Sequence, residues 1–280
     1  MNISFIGGDK RNVILSNLFK KRGFKIYKCS MGLDTENTLT ECINNSKYII
    51  LPIPYSSDDV NLNTKLSDDY IRLDLLEQSL SNKIVIGGGF SKQQKEKLEK
   101  NSNEVFDLMK CEDFVQKNVI PTVEGIIKLI IEDTIITIDG SNIAILGFGR
   151  IGKRAALELN GIGANIFCYD INKEELANIS LYGYNVIENL YSKNNYDIII
   201  NTVPKLIIGE KELSYINSET LIIDVASNPG GIDFEYAQNA GYRVIHELGI
   251  PGKVAPKTVA KYMEEYITSN LLKVWGEMNV

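Results

Sequence analysis

The feature that most constrains this chain is a glycine turn near its middle, directly after a short apolar run. Residues 147–152 read GFGRIG, the run 143–146 reads IAIL, and apolar residues then recur at helical spacing from Ile151. A strand, a tight turn and a helix in this order are typical of dinucleotide-binding domains. Gly147 would permit the tight turn, Gly149 would let a diphosphate approach the backbone, and Gly152 would let the helix pack on the strand.

An acidic residue downstream bears on which nucleotide binds. Asp170 ends the next predicted strand, 165–169, roughly 20 residues after the turn, where a carboxylate accepts hydrogen bonds from both ribose hydroxyls. This favours NAD over NADP, because a 2'-phosphate would be repelled. Lys173 and Arg150 keep NADP open, and Arg150 is either a diphosphate ligand or a solvated residue at the helix start.

The ends of later strands supply further candidate cofactor-binding residues. Ligands of open parallel sheets bind at the carboxyl ends of the strands. Thr202, Val203 and Pro204 follow the predicted strand 196–201, and Ala226 and Ser227 follow the strand 221–225. We expect these five residues to line the path of the cofactor.

Short apolar runs alternate with helical stretches along the whole chain, which predicts α/β architecture. With 280 residues we expect two doubly wound parallel-sheet, Rossmann-like domains, with a cleft between them. Residues 1–120 would form a substrate and catalytic domain, and 121–280 the dinucleotide-binding domain. Pro121 would begin a connecting helix, 121–131. A C-terminal helix, 256–275, would carry Val274 on its apolar face and pack back across the junction.

Charge and composition exclude several classes of protein. A net charge of −6 and a pI of about 5.1 argue against a nucleic-acid partner. No apolar run approaches the roughly 20 residues of a membrane span and no basic leader begins the chain, so a cytoplasmic protein is expected. The four cysteines form no CxxC pair and there is one histidine, so we expect reduced thiols and no metal site.

Several segments at turns and helix starts resemble the A subunit of dipicolinate synthase, and together they span nearly the whole chain. They are GGDKR at 7–11, NVIPTVEG at 118–125, LGFGRIG at 146–152, DVASNPGGIDF at 224–234 and LGIPGKVAPKTV at 248–259.

The resemblance implies oxidation of dihydrodipicolinate to dipicolinate with NAD or NADP, in the mother cell of a sporulating bacterium. It also implies a partner, the flavoprotein-like B subunit of dipicolinate synthase, and we expect an oligomer. The family is commonly associated with NADP, whereas Asp170 slightly favours NAD.

A substrate with two carboxylates calls for cationic groups. Arg11 and Lys257 are the first candidates for these, and Lys253 is the third. The base that removes a proton is open among Lys257, Asp9 and Glu124, and Glu124 is equally interpretable as an acid in the first turn of a helix. A structural role is favoured for His246.

The second half is also similar in layout to D-2-hydroxyacid dehydrogenases. It lacks their catalytic arginine, since Ser227 and Asn228 stand there, and Pro256 with Lys257 replaces their Pro-His pair. Two other functions stay open. One is a dinucleotide-binding regulatory or scaffold protein of the same complex, without chemistry of its own. The other is a two-domain dehydrogenase for another carboxylated substrate.

Overall fold

The computed structural model describes residues 1–190 and 195–271, and the chain divides into two compact units. The first unit contains Met1–Asn118 together with the described residues from Pro251 onward. The second unit contains Val119–Ile250. The predicted α/β fold with two parallel sheets is confirmed.

The first unit is built on a five-stranded parallel sheet with strand order β2-β1-β3-β4-β5. Its three central strands read as nearly continuous apolar runs because helices cover both faces of the sheet, and all three residues of the strand Tyr48–Ile50 are buried. Its elements in chain order are β1 (Asn2–Ile6), α1 (Lys10–Lys21), β2 (Lys25–Cys29), α2 (Leu39–Asn45), β3 (Tyr48–Ile50), α3 (Leu73–Ser79), β4 (Ile84–Gly87), α4 (Lys92–Lys100), β5 (Glu104–Asp107) and α5 (Glu112–Asp133), the last continuing into the second unit.

The second unit is built on a six-stranded parallel sheet with strand order β11-β10-β9-β6-β7-β8. Its elements are β6 (Asn142–Leu146), α6 (Arg150–Gly161), β7 (Asn165–Tyr169), α7 (Lys173–Leu181), β8 (Asn185–Val186), β9 (Ile198–Asn201), α8 (Glu210–Leu213), β10 (Leu221–Asp224), α9 (Phe234–Asn239) and β11 (Arg243–His246). β6 pairs with β7 on one side and β9 on the other, so the strand order reverses beside β6. Such a switch point is where open α/β sheets bind ligands.

The helix that connects the two units begins earlier than the sequence predicts. α5 begins at Glu112, so Pro121 lies in its interior, where a proline costs roughly 3 kcal/mol. Buried apolar residues at helical spacing, from Phe114 through Val123 to Ile130, offset that cost by packing.

The C-terminal segment also departs from the expected domain assignment. α10 (Ile250–Val254) and α11 (Pro256–Tyr266) follow β11, and α11 packs on α1 in the first unit rather than belonging to the second. Val259, Ala260 and Met263 of α11 are buried in the core that α1 shares. A π-helical turn, Ile267–Leu271, follows. The predicted positions Val274 and Trp275 lie outside the described residues.

Candidate functional site

The glycine turn of the second unit has the geometry that its sequence predicts. Gly147 has φ +92°, a conformation that favours glycine, and a Cβ there would lie 2.5 Å from Thr202 Oγ1. A Cβ on Gly152 would lie 1.9 Å from the carbonyl oxygen of Gly147, so only glycine lets α6 approach the turn this closely. A Cβ on Gly149, in contrast, would meet no atom within 4 Å. The outer side of the turn is therefore open at the position where a diphosphate would approach.

The amino terminus of α6 has no side-chain cap. Gly149 occupies the N-cap position and offers no side chain to accept from the first amides of the helix. The side chain of Phe148 is fully buried and packs against Tyr184. The N–H groups at the start of a 12-residue helix attract a negatively charged group. Arg150 and Ile151, the first two residues of α6, are exposed and half-buried.

Asp170 lies beside this turn, at the end of β7. One of its oxygens accepts from the backbone N–H of Phe148 at 2.7 Å, and the other accepts from that of Asn172 at 2.9 Å. These bonds fix the orientation of the half-buried carboxylate. A carboxylate has about four acceptor positions, so lone pairs are left for ribose hydroxyls.

The loop after β9 is fastened to the glycine turn by hydrogen bonds. The hydroxyl of Thr202 is 3.0 Å from the carbonyl oxygen of Leu146 and 3.2 Å from that of Gly147. The buried amide of Asn201 accepts from Val203 N–H at 3.1 Å and donates to Val203 carbonyl at 3.0 Å. Thr202 therefore supports the turn, whereas half-buried Val203 and exposed Pro204 continue the loop beyond it.

A buried carboxylate that the sequence analysis missed shapes the loop after β10. Asp224 is fully buried, and its two oxygens accept from the N–H groups of Ala226 at 2.8 Å and Gly231 at 2.7 Å. These two bonds close the loop into a fixed turn. The available signal was an aspartate ending an apolar strand just before the glycine pair 230–231.

Ala226 and Ser227 lie on that loop, the first buried and the second exposed. The imidazole of His246 stacks on Phe234 with ring centroids 4.6 Å apart, and its Nε2 is 3.4 Å from the carbonyl oxygen of Ala226. The histidine thus packs against the loop, and the structural role favoured from the sequence stays a prediction.

The first unit also has a glycine turn after its first strand, but the chain itself fills that turn. Gly8 N–H donates to the carbonyl of Asn63 at 2.8 Å, and a Cβ on Gly7 would lie 2.8 Å from that same oxygen. The carboxylate of Asp9 caps α1 by accepting from Arg11 N–H at 2.9 Å. A diphosphate would have to displace both groups, so the open dinucleotide turn is that of the second unit.

Arg11, predicted to bind a substrate carboxylate, already has an acidic partner. Its Nη2 lies 2.7 Å from one oxygen of Asp9 and its Nε lies 3.0 Å from the other, and Nη2 also donates to the carbonyl of Ile53. The Arg11 side chain is 5% exposed and that of Asp9 15%. The two residues form a neutral, mostly buried pair.

The other candidates for acid-base and anion-binding roles lie on three helices, α5, α10 and α11. Lys257 is exposed near the start of α11, beside Lys21 and Lys261. Lys253 is an exposed residue of α10. Glu124 is exposed in the middle of α5 rather than in a first turn, because the helix begins twelve residues earlier, at Glu112. Their predicted roles in catalysis stay predictions.

Of the four cysteines, Cys29, Cys42 and Cys168 are buried and Cys111 is partly buried, all as free thiols. The thiol of Cys42 hydrogen-bonds to Cys29 and lowers the pKa of Cys29 to about 7, whereas burial raises the pKa of Cys168 to about 12.

Within the described ranges no group of His, Cys, Asp and Glu is arranged to hold a metal ion. In the same part of the chain, no helix has the length and apolarity needed to traverse a bilayer.

Comparison with known proteins divides the chain as the structure does. Residues 2–109 match the N-terminal domain of the A subunit of dipicolinate synthase, and residues 129–229 match the NAD-binding domain of D-isomer-specific 2-hydroxyacid dehydrogenases. The chain is 31% identical to the A subunit of dipicolinate synthase from Bacillus subtilis, over 99% of this chain and 98% of that protein.

Solved structures agree with this match. The A chain of dipicolinate synthase from Bacillus subtilis superposes with a TM-score of 0.83 at 30% identity, covering 99% of this chain and 97% of that one. The corresponding protein from Bacillus halodurans gives 0.87 at 29%, covering 97% of each. A transhydrogenase from Sinorhizobium meliloti, 13% identical with a TM-score of 0.61, covers 96% of this chain and 93% of its own and shares the fold.

The chain belongs to the family of dipicolinate synthase A subunits, as its resemblance predicted. Its second unit is an NAD(P)-binding domain of the 2-hydroxyacid dehydrogenase type, which confirms the predicted cofactor class. The relative from Bacillus subtilis is named as one subunit of its enzyme, which implies a complex of several subunits.

Proposed function

We propose that this chain oxidises dihydrodipicolinate to dipicolinate, with NAD or NADP as hydride acceptor, as part of a synthase that also contains the B subunit of that enzyme. The observation that carries this proposal is the match of 99% of the chain to the A subunit of dipicolinate synthase, combined with an open, uncapped glycine turn. In the reaction a ring carbon gives up a hydride and the ring loses one proton, which yields the aromatic product, the reduced nucleotide and H⁺.

The described residues fit a nicotinamide dinucleotide. The uncapped amides at the start of α6 would hold its diphosphate, with open space over Gly149, and Asp170 would accept from its ribose hydroxyls. The nucleotide supplies the two-electron acceptor. Val203, Pro204, Ala226 and Ser227 would border its nicotinamide end, because they follow the neighbouring strands β9 and β10 on the ligand-binding edge of the sheet.

This reaction requires few catalytic side chains from the protein. Formation of an aromatic ring provides driving force, so orientation of the substrate carries most of the catalysis. The carboxylates of the substrate require cations, for which Lys257 and Arg11 are proposed. Arg11 is compensated by Asp9, so as it stands the pair offers no net positive charge.

That compensation favours a second candidate function, in which the chain binds the nucleotide and the B subunit completes the reactive site. Assays with and without the partner separate the two functions. Freshly generated dihydrodipicolinate would be mixed with the purified chain, with or without the purified B subunit, and with NAD⁺ or NADP⁺.

Appearance of reduced nucleotide and dipicolinate with the chain alone supports the first function. Product only in the presence of the partner supports the second. The absence of product under every combination refutes the proposed reaction. A Gly149→Val variant is the matched control, since it blocks the turn at a position where a side chain meets no other atom.

A further inference from the structure

Basic residues are strongly segregated in this acidic chain. The segments 10–25 and 253–262 contain nine of its 30 Lys and Arg and none of its 36 Asp and Glu. The two segments are distant in sequence, but they include α1 and most of α11, which pack against each other in the first unit. Of the lysines in these segments, Lys21, Lys257 and Lys261 lie together where α1 packs on α11, whereas the last part of α11 carries Glu264 and Glu265.

Three of these lysines border an apolar groove between α1 and α11. We call this the lysine groove, and it is lined by Ile14, Asn17, Leu18, Lys21, Lys257 and Lys261. Its floor is apolar because Ile14 and Leu18 occupy successive turns on one face of α1, and both are only partly buried. The groove is open to solvent and has a volume of about 240 Å³.

The groove differs from other basic positions of the same two helices. Arg22 is neutralised by Glu264 at 2.6 Å, and Arg11 by Asp9. Lys21, Lys257 and Lys261 are exposed, and no carboxylate of the described ranges forms an ion pair with them. Their charge is available to an external group.

We propose that the lysine groove is the docking surface for an acidic amphipathic helix of the partner protein. An amphipathic helix that binds in a groove inserts apolar residues spaced three and four positions apart. Ile14 and Leu18, four positions apart on α1, would contact such residues. Carboxylates flanking those residues would lie against the lysine rim, which adds specificity and accelerates association. Nucleic acid fits less well, because the floor is apolar and the chain is acidic overall. The proposal rests on the proposed function only in identifying the partner with the B subunit of the synthase.

Titration calorimetry at low salt between the full chain and the purified B subunit tests this inference. The Lys21→Glu/Lys261→Glu variant should weaken binding about tenfold or more and reduce its dependence on salt. Asn17→Glu, which adds an acid to the groove without removing a lysine, should also weaken it. Lys257 is left unchanged because the proposed function offers it as a cation for the substrate; a partner helix in the groove would cover Lys257, so docking and that assignment exclude each other. The matched control is Lys92→Glu/Lys100→Glu, the same charge change on exposed positions of α4, which should leave affinity unaltered.

Equal weakening by the groove and control variants would show a general charge effect and overturn the proposal. So would unchanged affinity of the groove variants, or no complex with the unmodified chain. Sedimentation of the chain alone distinguishes a second copy as the occupant, since a dimer that Lys21→Glu/Lys261→Glu dissolves would also overturn it. Nucleotide binding measured on the same samples reports on the second unit, so a failed dinucleotide site is recognised independently of docking.

Discussion

The three glycines of the turn have different physical tasks, and substitution at Gly149 separates binding from folding. Gly149 has φ −80° and ψ −159°, an extended conformation that any residue adopts, and its missing side chain faces open space. In Gly149→Val, a branched side chain would fill that space while the rest of the turn keeps its contacts. The free energy of unfolding should therefore fall by only about 0.5–1 kcal/mol, because valine is less favourable than glycine at an N-cap.

The cost to nucleotide binding follows from the hydrogen bonds that the new side chain prevents. A hydrogen bond to a charged group contributes about 1.5–3 kcal/mol, so losing one backbone contact with the diphosphate weakens affinity about 10- to 150-fold. Titration calorimetry with NAD⁺ and NADP⁺, together with urea denaturation, measures both quantities. Gly161→Ala is the control, because it adds a methyl group in open space at the far end of the same helix.

Substitution of Gly152, in contrast, is expected to affect folding as well as binding. A methyl group there would lie 1.9 Å from a backbone oxygen, so α6 must shift, and Gly152→Ala should destabilise the fold by about 1–3 kcal/mol in addition to weakening binding. Unchanged affinity of Gly149→Val for both nucleotides would exclude this turn as the diphosphate site. Destabilisation of Gly149→Val as large as that of Gly152→Ala would refute the expected separation of binding from folding.

Three further substitutions test other parts of the structure. Asp170→Asn keeps an acceptor for Phe148 N–H but removes the negative charge that would repel a 2'-phosphate. The dissociation constant of NADP divided by that of NAD should therefore fall about tenfold. An unchanged ratio would exclude Asp170 from nucleotide selection. Arg11→Met leaves Asp9 without its partner and should cost about 3 kcal/mol in urea denaturation, with partial recovery in Asp9→Asn/Arg11→Met. Burial raises the pKa of Glu77, so the folded state binds its proton more tightly than the unfolded state, and the resulting stabilisation is lost as pH rises. The unfolding free energy of Glu77→Gln relative to wild type should therefore increase from about pH 4 to 7, whereas a constant difference would contradict the burial argument.

The sequence predicts the parallel sheets well because their strands are buried on both faces. A strand covered by helices on both sides reads as a short, continuous apolar run, as in β6 and β9, and such runs were located within two residues. β8 was missed, because a two-residue strand at the edge of a sheet has no such pattern. α5 was predicted too short because Pro121 is usually a helix-start signal, whereas here packing along the helix outweighs it.

A site residue could be predicted from the sequence only where its role depends on its own backbone conformation or on its spacing from neighbouring residues. The spacing of Gly147, Gly149 and Gly152 predicts a task for each; the close contacts at Gly147 and Gly152 agree with it, and the role of Gly149 in binding stays a prediction. Asp224 acts through two amides, one of them seven residues away, and only the folded loop reveals it. The unit to which α11 belongs was also not predictable. The apolar face of α11 shows that the helix packs against another element, but not which element that is.

The two glycine turns of this chain show what a local pattern leaves undecided. Both turns connect the first strand of a parallel sheet to a 12-residue helix, and φ is positive at Gly7 and Gly8 in the first turn and at Gly147 in the second. They differ at the N-cap. Asp9 supplies the first helix with a negative group of its own, whereas Gly149 leaves the second helix uncapped and open to a ligand. A diphosphate meets competition from the carboxylate of the N-cap residue itself in the first case, whereas in the second the nearby Asp170 carboxylate accepts from Phe148 N–H and the N-cap residue has no side chain. The residue at the N-cap therefore distinguishes the two turns where their glycines do not.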